Sequence, residues 1–275
     1  MVMLDGALEP ESRSVRIGGG TAIVYTCRCP GKPTDNEDTV AAIPYGPDAT
    51  VLVVADGAGG LPAGRKASRT AVTTLAASLQ TSMSETTLLR TAILTGIEAA
   101  NRAVLDLVNG SATTLTVVTI EGRIARTYQI GDSEAIVVGR RGKLKAQTLA
   151  HSPTGFAVEA GFLDQRAALH HEERHLVSNL LGSSDMRIDV GATVELSPLD
   201  TVLLASDGLT DNIHIEEIVE MMRKGSLTSA LEALTRLALR RMTFESRTQP
   251  SKPDDLSLIL FRKAKRRRKA PLPAT

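Results

Sequence analysis

The position of the acids constrains this chain more than any other feature. Apolar, β-branched runs repeatedly stop or start on acidic clusters. Thr50–Ala55 (TVLVVA) leads into Asp56-Gly57-Ala58-Gly59-Gly60, and Thr201–Ala205 leads into Ser206-Asp207-Gly208. Asn36-Glu37-Asp38 precedes Thr39–Ile43, and Asp254-Asp255 precedes Leu256–Phe261. A fifth cluster, Gly131-Asp132-Ser133, separates two further apolar runs. Runs of this composition bounded by Gly, Pro and Asp read as strands. One cluster alone is an ordinary turn. Five at strand ends ask for more, because acids gathered at one rim repel each other and lose hydration unless a cation neutralises them. Oxygen donors without His or Cys nearby suit a hard divalent ion, Mn2+ or Mg2+. The adjacent glycines let backbone approach such an ion closely.

Between these clusters the period of the pattern changes. Thr21–Cys27 reads as another strand, whereas Ala67, Ala71, Leu75 and Leu79 recur on one helical face of residues 64–83. A second helix is expected over Glu85–Val108, ended by Asn109-Gly110. Strands are expected at Thr113–Ile120, Arg123–Ile130 and Ala135–Gly139, with joints tight enough to favour antiparallel neighbours. Leu149–Gly182 is polar, His-rich and weakly helical, as expected of an ordered lid. Strands resume at Val190–Leu196, and helices follow at Ile215–Arg223 and Leu227–Met242. This order predicts an α+β fold whose largely antiparallel sheets are covered by helices.

Composition excludes several classes. With 42% apolar and 23% charged residues the chain has the balance of a soluble globular protein. No run approaches the roughly 20 apolar residues of a membrane span. Residues 1–14 lack the basic start and apolar stretch of a secretory signal. Cys27 and Cys29, in a C-x-C spacing that rarely closes a disulfide, point to a reducing cytoplasm. They alternate along a strand, which places them on one face as small buried residues. Aromatics make up 3% and Trp is absent, so no nucleic-acid stacking platform is expected. Arg262–Lys269 holds seven basic residues; the other 25 stand against 31 acids, so the body carries a net charge of −6. The basic segment 263–275 is expected to be a disordered, solvated tail.

Six segments then stand in a recognisable order: Asn36-Glu37-Asp38, Asp56-Gly57-Ala58-Gly59-Gly60, Ala112-Thr113-Thr114, Gly131-Asp132-Ser133, Asp207-Gly208-Leu209-Thr210-Asp211 and Asp254-Asp255-Leu256-Ser257. Over roughly residues 20–262 the chain resembles the metal-dependent Ser/Thr protein phosphatases of the protein phosphatase 2C family, bacterial type. The resemblance implies a four-layer αββα sandwich, two central antiparallel sheets flanked by helices. It implies a single catalytic domain over residues 1–262, with a flap at about 151–182. It also implies two Mn2+ or Mg2+ ions and a hydroxide bridging them that attacks phosphoserine or phosphothreonine. By this resemblance Asp56 bridges the ions, Gly57 offers its carbonyl, Glu37 serves the second ion, and Asp207 and Asp254 hold the first. Asp38 orients water. Asp132 and Asp211, with Asp207, match a third, weaker site. The implied partner is a phosphorylated protein opposite a Ser/Thr kinase, acted on by a monomer.

Three positions depart from the family pattern. Pro33 stands where the family carries a phosphate-gripping Arg, leaving Lys32 and then Arg28 as the nearest substitutes. Ala58 replaces a His proposed as general acid in some members, and Ala112 replaces a Gly. Two rival readings follow from the residues. A chain that has lost phosphate capture could be a non-catalytic adaptor for phosphoproteins. His171-Glu172-Glu173-Arg174-His175 also spells a zinc-protease motif, with Glu195 as a third ligand.

Overall fold

Residues 50–55 are apolar or β-branched at every position, so a strand built from them needs cover on both faces. The computed structural model, which describes residues 1–58, 63–107, 110–244 and 248–264, supplies that cover. Its first elements are β1 (Val2–Asp5), β2 (Glu11–Ile17), β3 (Gly20–Cys27), β4 (Thr39–Tyr45), β5 (Ala49–Ala55) and the short β6 (Gly57–Ala58). Helices α1 (Ala63–Ser84) and α2 (Leu89–Leu105) follow. Next come β7 (Ala112–Thr113), β8 (Leu115–Glu121), β9 (Ile124–Ile130), β10 (Glu134–Val138) and β11 (Leu144–Gln147). The lid segment contains α3 (Pro153–Glu159), α4 (Gln165–Ala168) and a 3-10 turn at Glu172–His175. Beyond it lie β12 (Asp189–Val190), β13 (Val194–Glu195), β14 (Thr201–Ala205), α5 (Asp207–Thr210), α6 (Ile215–Arg223), α7 (Leu227–Thr243) and β15 (Leu256–Lys263).

Among the described residues the strands form two large sheets, antiparallel throughout. One runs β1-β4-β5-β8-β9-β12, with β13 also on β9; the other runs β11-β10-β14-β15-β3-β2. Alternation along β5 sorts its side chains between two cores. Val51, Val53 and Ala55 meet Ala67, Ala71, Leu75 and Leu79 of α1 and Ile93 and Ile97 of α2. Leu52 and Val54 turn the other way and meet Val24, Val202, Leu204 and Phe261 of the second sheet. The outer face of that second sheet is covered by Ile218 and Met222 of α6 and Leu231, Leu234 and Ala238 of α7. The layers are therefore α, β, β, α, as the resemblance implied.

Three local expectations are corrected. β9 and β10 are not neighbours: β10 pairs β14 in the other sheet, so Gly131-Asp132-Ser133 is a crossing and not a hairpin. Gly131 makes the crossing possible, with φ +97° and a missing Cβ that would lie 2.6 Å from the Thr114 side chain. The expected strand at 190–196 is split into β12 and β13, where Gly191 closes onto Thr127. β15 runs through Lys263, the first residue assigned to the basic tail; residues 265–275 of that tail lie outside the described residues, as do Gly59, Gly60 and Asn109 of the motifs above. No helix among the described residues is long and apolar enough to cross a membrane.

Candidate metal centre

Sheet register, more than any loop, assembles the acids. β4 pairs β5 with Thr39 opposite Ala55, so Asp38 and Asp56 stand side by side where the two strands meet the rim. In the second sheet Glu134 lies opposite Ala205; extending that register by two residues brings Asp132 opposite Asp207. β15 lies between β14 and β3, so Asp254 and Asp255, just ahead of Leu256, arrive at the same edge. Both sheets therefore present carboxylates at one end of the sandwich.

Hydroxyls hold this end together. Asp56 is clamped to the β7–β8 corner: its N–H donates to Thr114 Oγ1 at 2.9 Å, while its carbonyl accepts from Thr114 N–H at 2.8 Å and Thr113 Oγ1 at 2.7 Å. The Ser206 hydroxyl donates to Asp38 Oδ2 at 3.0 Å, joining the sheets directly. Ser68 of α1 donates to the Glu37 carbonyl at 2.6 Å. Gly57 and Gly64 make the closest approach. A Cβ on Gly64 would lie 2.6 Å from both Glu37 Oε1 and the Gly57 carbonyl oxygen, and one on Gly57 would lie 2.3 Å from Gly64 C and O. Gly64 carried no local sequence signal, because its role depends on a contact with residues 37 and 57.

Two lysines stand among the acids. Lys32 Nζ donates to Glu37 Oε2 at 2.8 Å and to Asp255 Oδ2 at 2.7 Å. Lys252 Nζ pairs with Asp207 Oδ2, with Asp211 Oδ2 at 3.0 Å and with Asp254 Oδ2 at 3.4 Å. Lys252 went unnoticed in the sequence, since a lysine beside Pro253 reads as a solvated loop residue. Among the described residues no three His, Cys, Asp or Glu side chains already converge in the manner of metal ligands.

The electrostatics are those of an acid cluster short of positive charge. Burial, and then the neighbouring Asp38, Asp207, Asp254 and Asp132, hold the Asp56 carboxyl well above the usual carboxylate range. Burial and Asp255 do the same to Asp38, and burial with Asp207 and Asp211 to Asp132. Asp254 is pushed up to about 7 and Asp211 to about 6, by burial and then by Asp207, with Lys252 opposing both. Glu37 Oε1, Asp38 Oδ1 and Asp207 Oδ1 are buried without any hydrogen-bond partner. An unpartnered buried carboxylate oxygen is costly. Three such oxygens, all on carboxylates, together with the Gly57 carbonyl that Gly64 leaves uncovered beside Glu37, fit a hard divalent cation.

The remaining candidates fall elsewhere. Lys32 turns inward because Cys29-Pro30-Gly31-Lys32 is a tight turn, with Lys32 N–H on the Cys29 carbonyl at 3.1 Å and Gly31 at φ +78°. Pro33 is exposed and does not redirect it. The Lys32 ammonium is thereby committed to two carboxylates. Arg28 is half-buried, and among the described residues its guanidinium has no hydrogen-bonded or ion-paired partner. Cys27 and Cys29 are both buried and free. The zinc-protease motif is not assembled: Glu172–His175 is a single 3-10 turn, and at three residues per turn His171 and His175 do not share a face. Glu195 is exposed on β13 and pairs with Arg123. Beside the centre a cleft of about 760 Å³ runs under the lid, reaching Asp132, Asp207 and Asp211 at one end and Arg166 and Arg174 on the lid side.

Comparison with known proteins gives the family. The family model "Protein phosphatase 2C" matches residues 31–242. Protein phosphatase PhpP of Streptococcus pneumoniae is 32% identical over 216 residues, covering 75% of this chain and 87% of its own. Among solved structures, the serine/threonine phosphatase of S. agalactiae aligns with a TM-score of 0.73 at 25% identity, over 88% of this chain and 98% of its own. The catalytic domain of the serine/threonine phosphatase PstP, in complex with two manganese ions, aligns with a TM-score of 0.70 at 26% identity, over 88% and 96%. The chain belongs to the protein phosphatase 2C family of serine/threonine phosphatases.

Proposed function

We propose that this chain hydrolyses phosphoserine and phosphothreonine in proteins, working against a Ser/Thr kinase, at a centre of two Mn2+ or Mg2+ ions. The observation that carries the reading is the set of buried, unpartnered oxygens on Glu37, Asp38 and Asp207, with Glu37 Oε1 and the Gly57 carbonyl both lying against Gly64. Glu37, Asp56, Asp207, Asp254 and the Gly57 carbonyl would hold the ions. When bound, such ions make water nucleophilic near neutral pH and neutralise charge on phosphoryl oxygens.

The chain's own residues supply the rest. Thr113 and Thr114 fix the Asp56 backbone from both sides, so its carboxylate is presented in one place. Ser206 occupies Asp38 Oδ2 and leaves Oδ1 free to accept a proton from the attacking water. Ala58 offers no acid to the leaving alkoxide, so water protonates it. Phosphate capture falls to Arg28 before Lys32: Arg28 immediately follows β3, two residues after Thr26, whose hydroxyl bonds Ser257 and Asn36, and among the described residues its charge is not consumed by an acid. We take residues 1–262 as one catalytic domain with the lid as its flap, and the third-site acids Asp132 and Asp211 as flanking the two-ion centre. The test is hydrolysis of p-nitrophenyl phosphate with and without Mn2+. Metal-dependent turnover supports the enzyme; phosphoprotein binding without turnover at saturating Mn2+ would establish the adaptor reading instead.

A further inference from the structure

Lys252 is a built feature and not a stray surface lysine. Its backbone is gripped from both sides by fully buried Asn212, whose Oδ1 accepts from Lys252 N–H at 2.8 Å and whose Nδ2 donates to the Lys252 carbonyl at 2.8 Å. The same Nδ2 donates to the Gly208 carbonyl at 2.9 Å, tying the lysine to the turn that carries Asp207. One residue earlier, the Ser251 hydroxyl donates to the Arg241 carbonyl at 2.7 Å, and the Ser251 carbonyl accepts from lid Arg174 at 2.8 Å. The side chain, 17% exposed, then enters the acid cluster, where Asp207, Asp211 and Asp254 surround its ammonium and Asp132 lies within its field. Asp207 divides its oxygens: Oδ2 meets Lys252, and Oδ1 stays buried and unpartnered.

We propose that Lys252 is a resident cation for the Asp132–Asp207–Asp211 side of the centre, doing there what a further divalent ion would otherwise do. The inference rests on the two-ion reading above and sharpens it: this chain loads two ions and no third. A fixed ammonium has one charge, three donors and no exchangeable coordination sites. It can hold these carboxylates together but cannot coordinate a substrate oxygen, so the occupied side would position acids and take no part in coordinating substrate. With the ammonium removed, three buried carboxylates would face each other without compensation, an arrangement that recruits a hard cation.

Equilibrium dialysis against Mn2+, with bound metal counted by mass spectrometry, tests this on the full chain, with melting curves confirming that each protein is folded. Wild type and Lys252→Arg should saturate at two Mn2+ per chain; Lys252→Met and the shorter Lys252→Ser should saturate at three. The added ion should disappear in Lys252→Met combined with Asp211→Asn. Three ions in wild type would overturn the proposal without recourse to any variant, and so would two ions in folded Lys252→Met or Lys252→Ser. No Mn2+ bound by wild type would overturn the two-ion reading along with it, whereas two ions in every variant would overturn Lys252 alone.

Discussion

The Gly57–Gly64 contact offers a perturbation whose size can be worked from the structure. A Cβ on Gly64 would stand 2.6 Å from Glu37 Oε1 and 2.6 Å from the Gly57 carbonyl oxygen, where ordinary contact begins at 3.4 Å. The contact must therefore open by the difference, 0.8 Å, and one of the two obstacles is backbone. Overpacking of this kind costs about 1–3 kcal/mol, which for a chain of this size lowers Tm by roughly 2–10 °C. The effect on the metal should be larger in proportion, since ligand positions are held to about ±0.2 Å in a working site. Gly64→Ala should weaken Mn2+ binding about 10- to 100-fold, the usual cost of disturbing groups that orient metal ligands. Isothermal titration with Mn2+ and a melting curve read both effects. Gly139→Ala is the matched control, because a Cβ there meets nothing nearer than 3.5 Å. Wild-type Mn2+ affinity in Gly64→Ala would refute the assignment of Glu37 and the Gly57 carbonyl to an ion.

Further outcomes follow from the charges. Asp254 and Asp211 have folded-state values of about 7 and about 6, above the ordinary 3.8, so the folded metal-free chain binds more protons than the unfolded one between pH 4 and 7. Metal-free stability should then fall as pH rises through that window, and saturating Mn2+ should flatten the profile; a metal-free Tm that rises from pH 5 to 7 would contradict it. Lys32→Met leaves Glu37 and Asp255 without their shared ammonium and should cost about 2 kcal/mol in urea unfolding, less when Mn2+ is present. Arg28→Ala should raise KM for a phosphothreonine peptide about tenfold with kcat little changed, as loss of a charged contact made equally in ground and transition states; an unchanged KM removes Arg28 from phosphate capture.

Much of this was legible because apolar strands and their acidic ends are both local features. Thr50–Ala55 with Asp56, and Thr201–Ala205 with Asp207, each announce themselves in seven residues. The layers were legible for the same reason, as continuous apolar, β-branched runs set apart from the Ala67–Leu79 helical face. What escaped depends on distance along the chain. That Asp132 faces Asp207 is decided by β10 pairing β14 across sheets, while the short Gly131-Asp132-Ser133 joint favoured a hairpin. Lys252 owes its place to Asn212, 40 residues away, and Lys32 owes its inward aim to a turn centred on Pro30-Gly31. β2 was missed because Glu11–Ile17 is a largely exposed edge strand whose polar residues carry little apolar pattern.

The central claim, that these carboxylates form a metal centre for phosphoester hydrolysis, is tested most directly by phosphate release from a phosphothreonine peptide. The measurement compares wild type and Asp56→Asn, each with EDTA and each with saturating Mn2+. Wild type should release none in EDTA and recover fully on adding Mn2+, and folded Asp56→Asn should show a kcat at least 100-fold lower at saturating Mn2+, because Asp38, Asp207, Asp254 and Asp132 all act on the Asp56 carboxyl. Turnover that survives EDTA, or a near-normal kcat in Asp56→Asn, would contradict it.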